Sequence, residues 1–386
     1  MQEELMEAEE LSVIPVVTTR QLRRFARFNV RLYRNHPYSV PDLIGDTINS
    51  FKPSRNAAFE FCEAQPFIAV MDGRIVGRVA AIINHRANEV WKVRTVRFGW
   101  IDFIDDIRVS GALLDAVAEW GKERGMNRLE GPFGFTDFDP EGMLTEGFDR
   151  IGTMATIYNY PYYPVHMERL GLTKSAGWVE WMVHFSSTVP PKIDRISKIV
   201  LERNNLHVPL FAQSKHREAR TYAFKLFELV NESYMPLYGY SAFSDRQIRN
   251  FVKRYLFMLD KRLAAIVLDS DDNVVAAALT MSSIAEALQK AKGHLLPTGW
   301  WHLVKALKCK RSHVVESLFI AVKPKYQNKG LTAILLRELG VNASGAGYRL
   351  AESNPELEDN KRIQNHWEYY EGSEIIKRRA VFCKRI

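Results

Sequence analysis

Between Glu316 and Leu339 an apolar run, Leu318 to Val322, stops at Pro324, passes through Gln327-Asn328-Lys329-Gly330, and resumes with Leu331, Ile334, Leu335 and Leu339 at helical spacing. That succession predicts a strand, a tight turn and a helix. Proline has no donor with which to continue a ladder, and glycine permits close backbone approach. A helix that begins directly after such a turn presents unsatisfied N–H groups and the positive end of its dipole, a combination that suits a phosphate. Lys325 and Lys329 add positive charge beside it. An ordinary strand-to-helix junction with no ligand has the same pattern, so spacing alone leaves both readings open.

Residues 322–332, VKPKYQNKGLT, resemble motif A of the GCN5-related N-acetyltransferases: Arg or Gln, two residues, Gly, one residue, then Gly or Ala. Gln327 and Gly330 occupy the first two positions, and Thr332 stands in the third. The resemblance implies that acetyl-CoA or another acyl-CoA lies where the fourth and fifth strands of such a fold splay apart. Its pantetheine is then expected against Ile320, Ala321 and Val322, and its pyrophosphate on N–H groups of Asn328, Lys329, Gly330, Leu331 and Thr332. Acyl transfer needs a base for the acceptor amine, donors for the tetrahedral oxyanion and an acid for the leaving thiolate. Glu316, eleven residues before Gln327 (327 − 316), is the candidate base, at a spacing similar to that of the histone-acetylating branch. Strand alternation sets it on one face with Leu318 and Ile320, where desolvation raises a carboxylate's pKa; a water-exposed strand-entry Glu is the alternative. For the acid, the family places Asn early in its fourth helix and Tyr two turns later. Asn360 matches the first position, but Trp367 stands at the second, so the role falls to Tyr369 or Tyr370, with Tyr370 preferred, on a shifted or bulged helix.

The chain that must position these groups has 386 residues, enough for two domains, with 46% hydrophobic and 25% charged residues, the balance of a soluble globular protein. Lys and Arg number 53 against 45 acids, a net charge of +8. This favours anionic ligands but is too small a bias to call for nucleic acid. Cys62, Cys309 and Cys383 are too few and too scattered for a disulfide framework or a zinc site, so no metal is expected. The first ten residues are acidic where a secretion signal is basic, and no run approaches the roughly 18 apolar residues of a membrane span, so a cytoplasmic location is expected.

Along the chain, residues 11–17 read as β-prone and 18–34 as a basic amphipathic helix. Residues 67–83 form a hairpin around Asp72-Gly73, and 96–104 form a strand. Ser110 is expected to cap a helix over 111–122, with a short strand at 127–130, a long loop at 133–148, a short helix at 165–170 and a strand at 178–185. The four tyrosines of 158–164 line a groove or wedge an interface. A linker at 186–191, SSTVPP, opens the second half. There 193–203 reads as helix, 206–212 as strand, 217–231 as helix, 263–281 as a hairpin, 314–322 as strand, 348–351 as strand, 359–370 as helix and 380–384 as a closing strand. The insertion 285–311 carries Trp300-Trp301 and Lys305, Lys308, Lys310 and Arg311; it could pack as a helix, close over the acceptor site or, less favoured, rest on an anionic membrane surface.

The halves repeat this order, and 124–132 (RGMNRLEGP) resembles 346–355 (AGYRLAESNP). The expected fold is therefore α/β, a mixed sheet flanked by helices, in two tandem copies of the acetyltransferase fold, 1–187 and 188–386. The first copy has DIRVSG at 106–111 in place of the phosphate turn, so the cofactor is assigned to the second. The resemblance implies an acyl-CoA-dependent N-acyltransferase, acetyl transfer foremost, acting on an amine not named by any motif. Long-chain acyl transfer, aminoacyl transfer, and a non-catalytic binder of acyl-CoA or of a partner protein are the alternatives.

Overall fold

The computed structural model describes residues 10–185, 188–256, 259–309 and 312–386. The acidic residues 1–9, Ser186 and Ser187 of the linker, and Lys310 and Arg311 of the insertion lie outside the described residues. In chain order the strands are β1 (Leu11–Pro15), β2 (Cys62–Met71), β3 (Arg74–Asn84), β4 (Thr95–Phe103), β5 (Arg128–Gly131), β6 (Met143–Glu146) and β7 (Thr173–His184). They continue with β8 (Ala264–Leu268), β9 (Val274–Ser282), β10 (Val314–Val322), β11 (Leu350–Glu352), β12 (Glu356–Leu357) and β13 (Glu374–Arg385).

Both hairpins form for the reasons written in their turns. Asp72 and Gly73 take φ of 48° and 73°, the double positive φ of the two-residue turn whose twist matches the strands it joins, and Met71 pairs with Arg74. In the second, the Asp269 carboxylate accepts the N–H groups of Asp271 and Asn273 at 3.1 and 3.0 Å and closes the loop between β8 and β9.

One mixed sheet runs through the whole molecule in the order β1-β2-β3-β4-β5-β13-β7-β11-β10-β9-β8, with β6 on β13 and β12 on β7. Its middle exchanges strands. β7 closes the first half of the sequence but lies beside β11 of the second, and β13 closes the second half but pairs with β5 of the first, Arg128 opposite Arg385. The sequence boundary at 187/188 falls between β7 and the helix Pro191–Arg203, and the sheet crosses it without interruption.

Helices cover both faces. In the first half, Val109, Leu113 and Val117 of the helix Ile107–Lys122 pack on Val96 and Phe98, while Leu22, Phe25 and Phe28 of the helix Thr19–Leu32 pack on Ile68 and Ile82. In the second half the helices Leu331–Gly345 and Pro191–Arg203 share one face, and His216–Tyr234 lies on the other against Phe319 and Ala321. Each such apolar side chain, fully buried, contributes about 1.5–3 kcal/mol.

Several expectations need correction. Residues 206–212 are not a strand: only His207 bridges Leu268 before Pro209 removes a donor, and a single 3-10 turn follows at Phe211–Gln213. The helix expected from residue 111 starts at Ile107, because Asp106 accepts the Arg108 N–H at 2.9 Å and caps it; Ser110 instead bonds His166 at 2.9 Å. The loop 133–148 contains β6, and the helix expected to reach residue 370 is the shorter Lys361–Trp367.

Candidate functional site

β10 and β11 run parallel for three residue pairs, Val314 with Leu350, Val315 with Ala351 and Glu316 with Glu352. Beyond them β10 continues to Val322 with β9 as its only strand partner among the described residues, so a wedge opens at the Glu316–Glu352 pair. β4 and β5 repeat this geometry, also with three pairs, the last being Arg97 with Glu130. There the chain fills its own wedge: the Phe133 N–H donates to the Phe98 carbonyl at 2.9 Å, and a Cβ on Gly99 would lie 2.2 Å from the Phe133 carbonyl. The second-half wedge is instead lined by Val315, Ile320, Leu336, Ala343, Trp367 and Tyr370, with Glu352 and Ser353 at its inner end. It adjoins a cavity of about 240 Å³ beside Gly340, Val341 and Gly345, sharing Phe185 and Tyr370 with it.

The turn after β10 is built for a helix start without a side-chain cap. Asn328 takes φ 62° and Gly330 takes φ 82° as N-cap of the helix Leu331–Gly345, and no side chain bonds its first N–H groups. A Cβ at Gly330 would stand 3.0 Å from Val200 Cγ2, so both the backbone angle and the packed neighbouring helix require glycine. Asn328, Lys329, Gly330, Leu331 and Thr332 thus form one turn at an uncapped helix start, in which the Lys329 N–H donates to the Tyr326 carbonyl at 3.4 Å. Lys325 and Lys329 lie 4.9 and 5.2 Å from the Tyr326 ring, beside that helix start. Gln327 does something other than face this turn: its Nε2 donates to the Val322 carbonyl at 3.2 Å and ties the turn to the strand end.

Glu316 is 3% exposed, and neither of its oxygens makes a hydrogen bond. Burial pushes its pKa up; Ser283, Lys377 and the Met154 backbone stand near enough to favour the charge but do not offset the lost water. Leu318 shares its face, but Ile320 does not. A bulge between Ser317 and Phe319 turns Ile320 toward the helices Leu331–Gly345 and Pro191–Arg203, while Phe319 and Ala321 face the helix His216–Tyr234. The Ile320 carbonyl accepts the Tyr234 hydroxyl at 3.0 Å.

Four charged residues that sequence reasoning missed continue the polar stripe from Glu316 across adjacent strands. Glu352 on β11, Glu180 on β7, and Lys377 and Arg379 on β13 are all buried. Lys377 binds Glu352 and, at 3.5 Å, Glu180; Arg379 binds Glu180 and the Ile157 carbonyl. Three carboxyls thus share two cations. Burial raises the Glu352 pKa to about 7 against the pull of Lys377, whereas Arg379 and Lys377 hold Glu180 below its usual value despite its burial. The Glu316–Glu352 side of the stripe therefore holds protons to higher pH than Glu180 does. The resemblance of 124–132 to 346–355 already paired Glu130 with Glu352. In the first half Arg97 replaces Glu316, and Glu130 accepts from Arg128 at 2.8 Å and from the Tyr238 hydroxyl at 2.6 Å, so that apex is neutralised.

On the opposite side of the wedge, Tyr370 follows the helix Lys361–Trp367 rather than riding on it, and burial raises its pKa above the ordinary tyrosine value. The broken helix is what brings its side chain into the wall shared by the wedge and the cavity. Asn360 is the N-cap residue of that helix but makes no side-chain cap bond, and Tyr369 is turned outward, accepting from Lys192 Nζ at 2.9 Å. Trp367 donates its indole N–H at 2.9 Å to Glu356, whose other oxygen has no partner; burial pushes the Glu356 pKa up to about 8.

No protein-family model matches the sequence. Among curated proteins the chain is similar to the bacterial ceramide synthase of Caulobacter vibrioides, 26% identical over 359 residues covering 92% of each chain. It is also 26% identical to protein YghO of Escherichia coli, over 95% of this chain and 93% of that one. Among solved structures it superposes on a tandem GNAT protein from the clavulanic acid biosynthesis pathway with a TM-score of 0.54 at 12% identity, covering 97% of this chain and 98% of that chain. A GCN5-related N-acetyltransferase from Sphaerobacter thermophilus gives a TM-score of 0.50 at 11% identity, over 97% and 95% of the two chains. The fold is that of tandem GCN5-related N-acetyltransferases, a mixed sheet flanked by helices.

Proposed function

We propose that this protein is an acyl-CoA-dependent N-acyltransferase whose donor occupies the second-half wedge and whose acyl group is long. The observation that carries the proposal is the divergence of β10 from β11, which has an uncapped helix start at one end, a buried, unpartnered carboxylate at its apex and a cavity of mixed lining at its side. Coenzyme A phosphates fit the helix start between Asn328 and Thr332, and pantetheine fits the edge of Ile320, Ala321 and Val322, where it would displace Tyr234 and Gln327 from the Ile320 and Val322 carbonyls. Glu316, with Glu352 as its proton-sharing neighbour, takes the proton from the acceptor amine as nitrogen attacks the thioester carbonyl. Tyr370, on the other side of the wedge, returns a proton to the leaving thiolate. Asn360, at the N-cap of the helix Lys361–Trp367, is assigned as a polar contact for pantetheine, although it lines neither the wedge nor the cavity.

The likeness to a ceramide synthase, together with the cavity that Phe185, Val189 and Val341 help to line, supports a fatty acyl donor and a long-chain amine acceptor over acetyl transfer. Release of free thiol from acetyl- and palmitoyl-CoA, with a long-chain amino alcohol and with a small soluble amine as acceptors, tests this reading. Palmitoyl-CoA with the long-chain amine is expected to give the higher kcat/KM. A protein that binds neither thioester, or binds and never releases thiol, refutes it.

A further inference from the structure

The insertion between β9 and β10 puts its most apolar side chains in water. Leu295, Leu296, Trp300, Trp301 and Val304 are 44%, 76%, 48%, 52% and 36% exposed and fall within ten consecutive residues. The helix Gly299–Lys308 is two-sided: Leu303, Ala306 and Leu307 pack inward on Met281, Ile284 and Leu288, while Trp300, Trp301 and Val304 share the outer face with Lys308. This exposure belongs to a segment that is held in place. Gln289 Nε2 donates to the Pro37 and Ser39 carbonyls at 2.8 and 3.0 Å, and the Ile44 N–H donates to the Gly293 carbonyl at 2.9 Å. From Ala287 to Val315 the sequence has no Asp or Glu, and Lys290, Lys292, Lys305 and Lys308 flank the apolar tip.

We infer that this helix and the loop before it are a docking surface for an anionic lipid bilayer, entered in the plane of the interface by Leu296, Trp300 and Trp301. Paired tryptophans on a short helix flanked by lysines and free of acids suit the boundary between headgroups and acyl chains, where an indole keeps its N–H wet and its ring dry. A positively charged rim favours anionic headgroups, adding on the order of 1 kcal/mol per lysine near the surface. A protein partner would be matched by an apolar patch as well, but lysines on both sides of it in a stretch without acids favour lipid. No described helix is long and apolar enough to cross a membrane, so contact through this face is peripheral.

The inner side of the same helix adds a functional consequence, and this part rests on the reading of the site as an acyltransferase. Leu303, Ala306 and Leu307 belong to one apolar cluster with Leu318, two residues from Glu316 and on its face. A bilayer held against Trp300 and Trp301 therefore places a lipid-borne amine on the side of the sheet where the candidate base lies.

Co-sedimentation of the full chain, without substrates, with vesicles of phosphatidylcholine containing about a third phosphatidylglycerol tests the surface separately from turnover. The wild type is expected in the pellet, less so with neutral vesicles or at high salt. The double variant Trp300→Ser/Trp301→Ser is expected to partition about tenfold more weakly with an unchanged circular dichroism spectrum and unchanged turnover of a small soluble amine. Lys305→Glu/Lys308→Glu is expected to lose the anionic preference alone. A wild type that stays in the supernatant overturns the proposal, as does a tryptophan variant that still partitions normally. Sedimentation velocity completes the test: a dimer that the tryptophan variant converts to monomer, with no vesicle binding by either, assigns the patch to self-association and overturns it too.

Discussion

Glu356→Gln is a substitution whose effect on stability is computable from the geometry of one side chain. Glu356 has one oxygen on the Trp367 indole at 2.9 Å and the other buried with no partner, and burial raises its pKa to about 8 from an ordinary 4.5. Between those two values the folded chain holds a proton that the unfolded chain has released. The native state binds more protons, so stability falls as pH rises through this window, with the penalty absent below the lower value and complete above the upper one. At pH 7 the distance from 4.5, at about 1.4 kcal/mol per pH unit, makes the penalty on the order of 3 kcal/mol. Glutamine keeps the acceptor for Trp367 and has no proton to bind, so the variant is expected to be more stable than wild type by that order at pH 7, and by less than about 1 kcal/mol at pH 5. Urea denaturation of both proteins at pH 5, 7 and 8 measures this, and taking the difference between them removes the parallel contributions of Glu316 and Glu352. Two curves that stay parallel across this range refute the reasoning, since they mean that the carboxyl finds water or a partner when it ionises.

Two further substitutions address the site. Gly330→Ala forces a side chain into φ 82° at about 1–2 kcal/mol and presses a methyl on Val200, so the Kd for coenzyme A measured by calorimetry is expected to rise at least about tenfold while the fold persists; unchanged affinity removes the turn from the donor site. Glu316→Gln is expected to lower kcat about a hundredfold or more with little change in coenzyme A affinity, and a variant with wild-type kcat takes Glu316 out of the mechanism.

What the sequence made legible was local. The Asp72-Gly73 hairpin, the run from β10 through Gly330 into its helix, and the apolar stripe of Val109 to Val117 each carry their signal within a dozen residues, where dihedral preference and periodicity decide the outcome. The bulge at Ser317 was not legible, because one extra residue reverses the alternation without altering composition, and it moved Ile320 off the face of Glu316. Residues 206–212 look β-prone, yet Pro209 and a single bridging pair show that propensity does not make a strand without a partner. The polar stripe was the largest omission. Glu180, Glu352, Lys377 and Arg379 come from three strands far apart in sequence, and only the sheet order makes them neighbours. The aligned segments around Glu130 and Glu352 held the one usable hint.

The exchange of β7 and β13 also bears on how the chain is made. Arg128 must wait for Arg385, 257 residues later (385 − 128), before β5 has its second neighbour beside β4. A ribosome adding about 5–20 residues per second leaves β5 with a bare edge for roughly ten to fifty seconds, and β7 waits for β11 through much of that time. Bare edges are sticky, and β5 and β7 each have one before β13 is made. Nascent chains thus have a detour available, β7 on β5, that must be undone before β13 can slip between them. A ribosome stalled short of Glu374 strands both halves at once, because β13 is the strand that separates them.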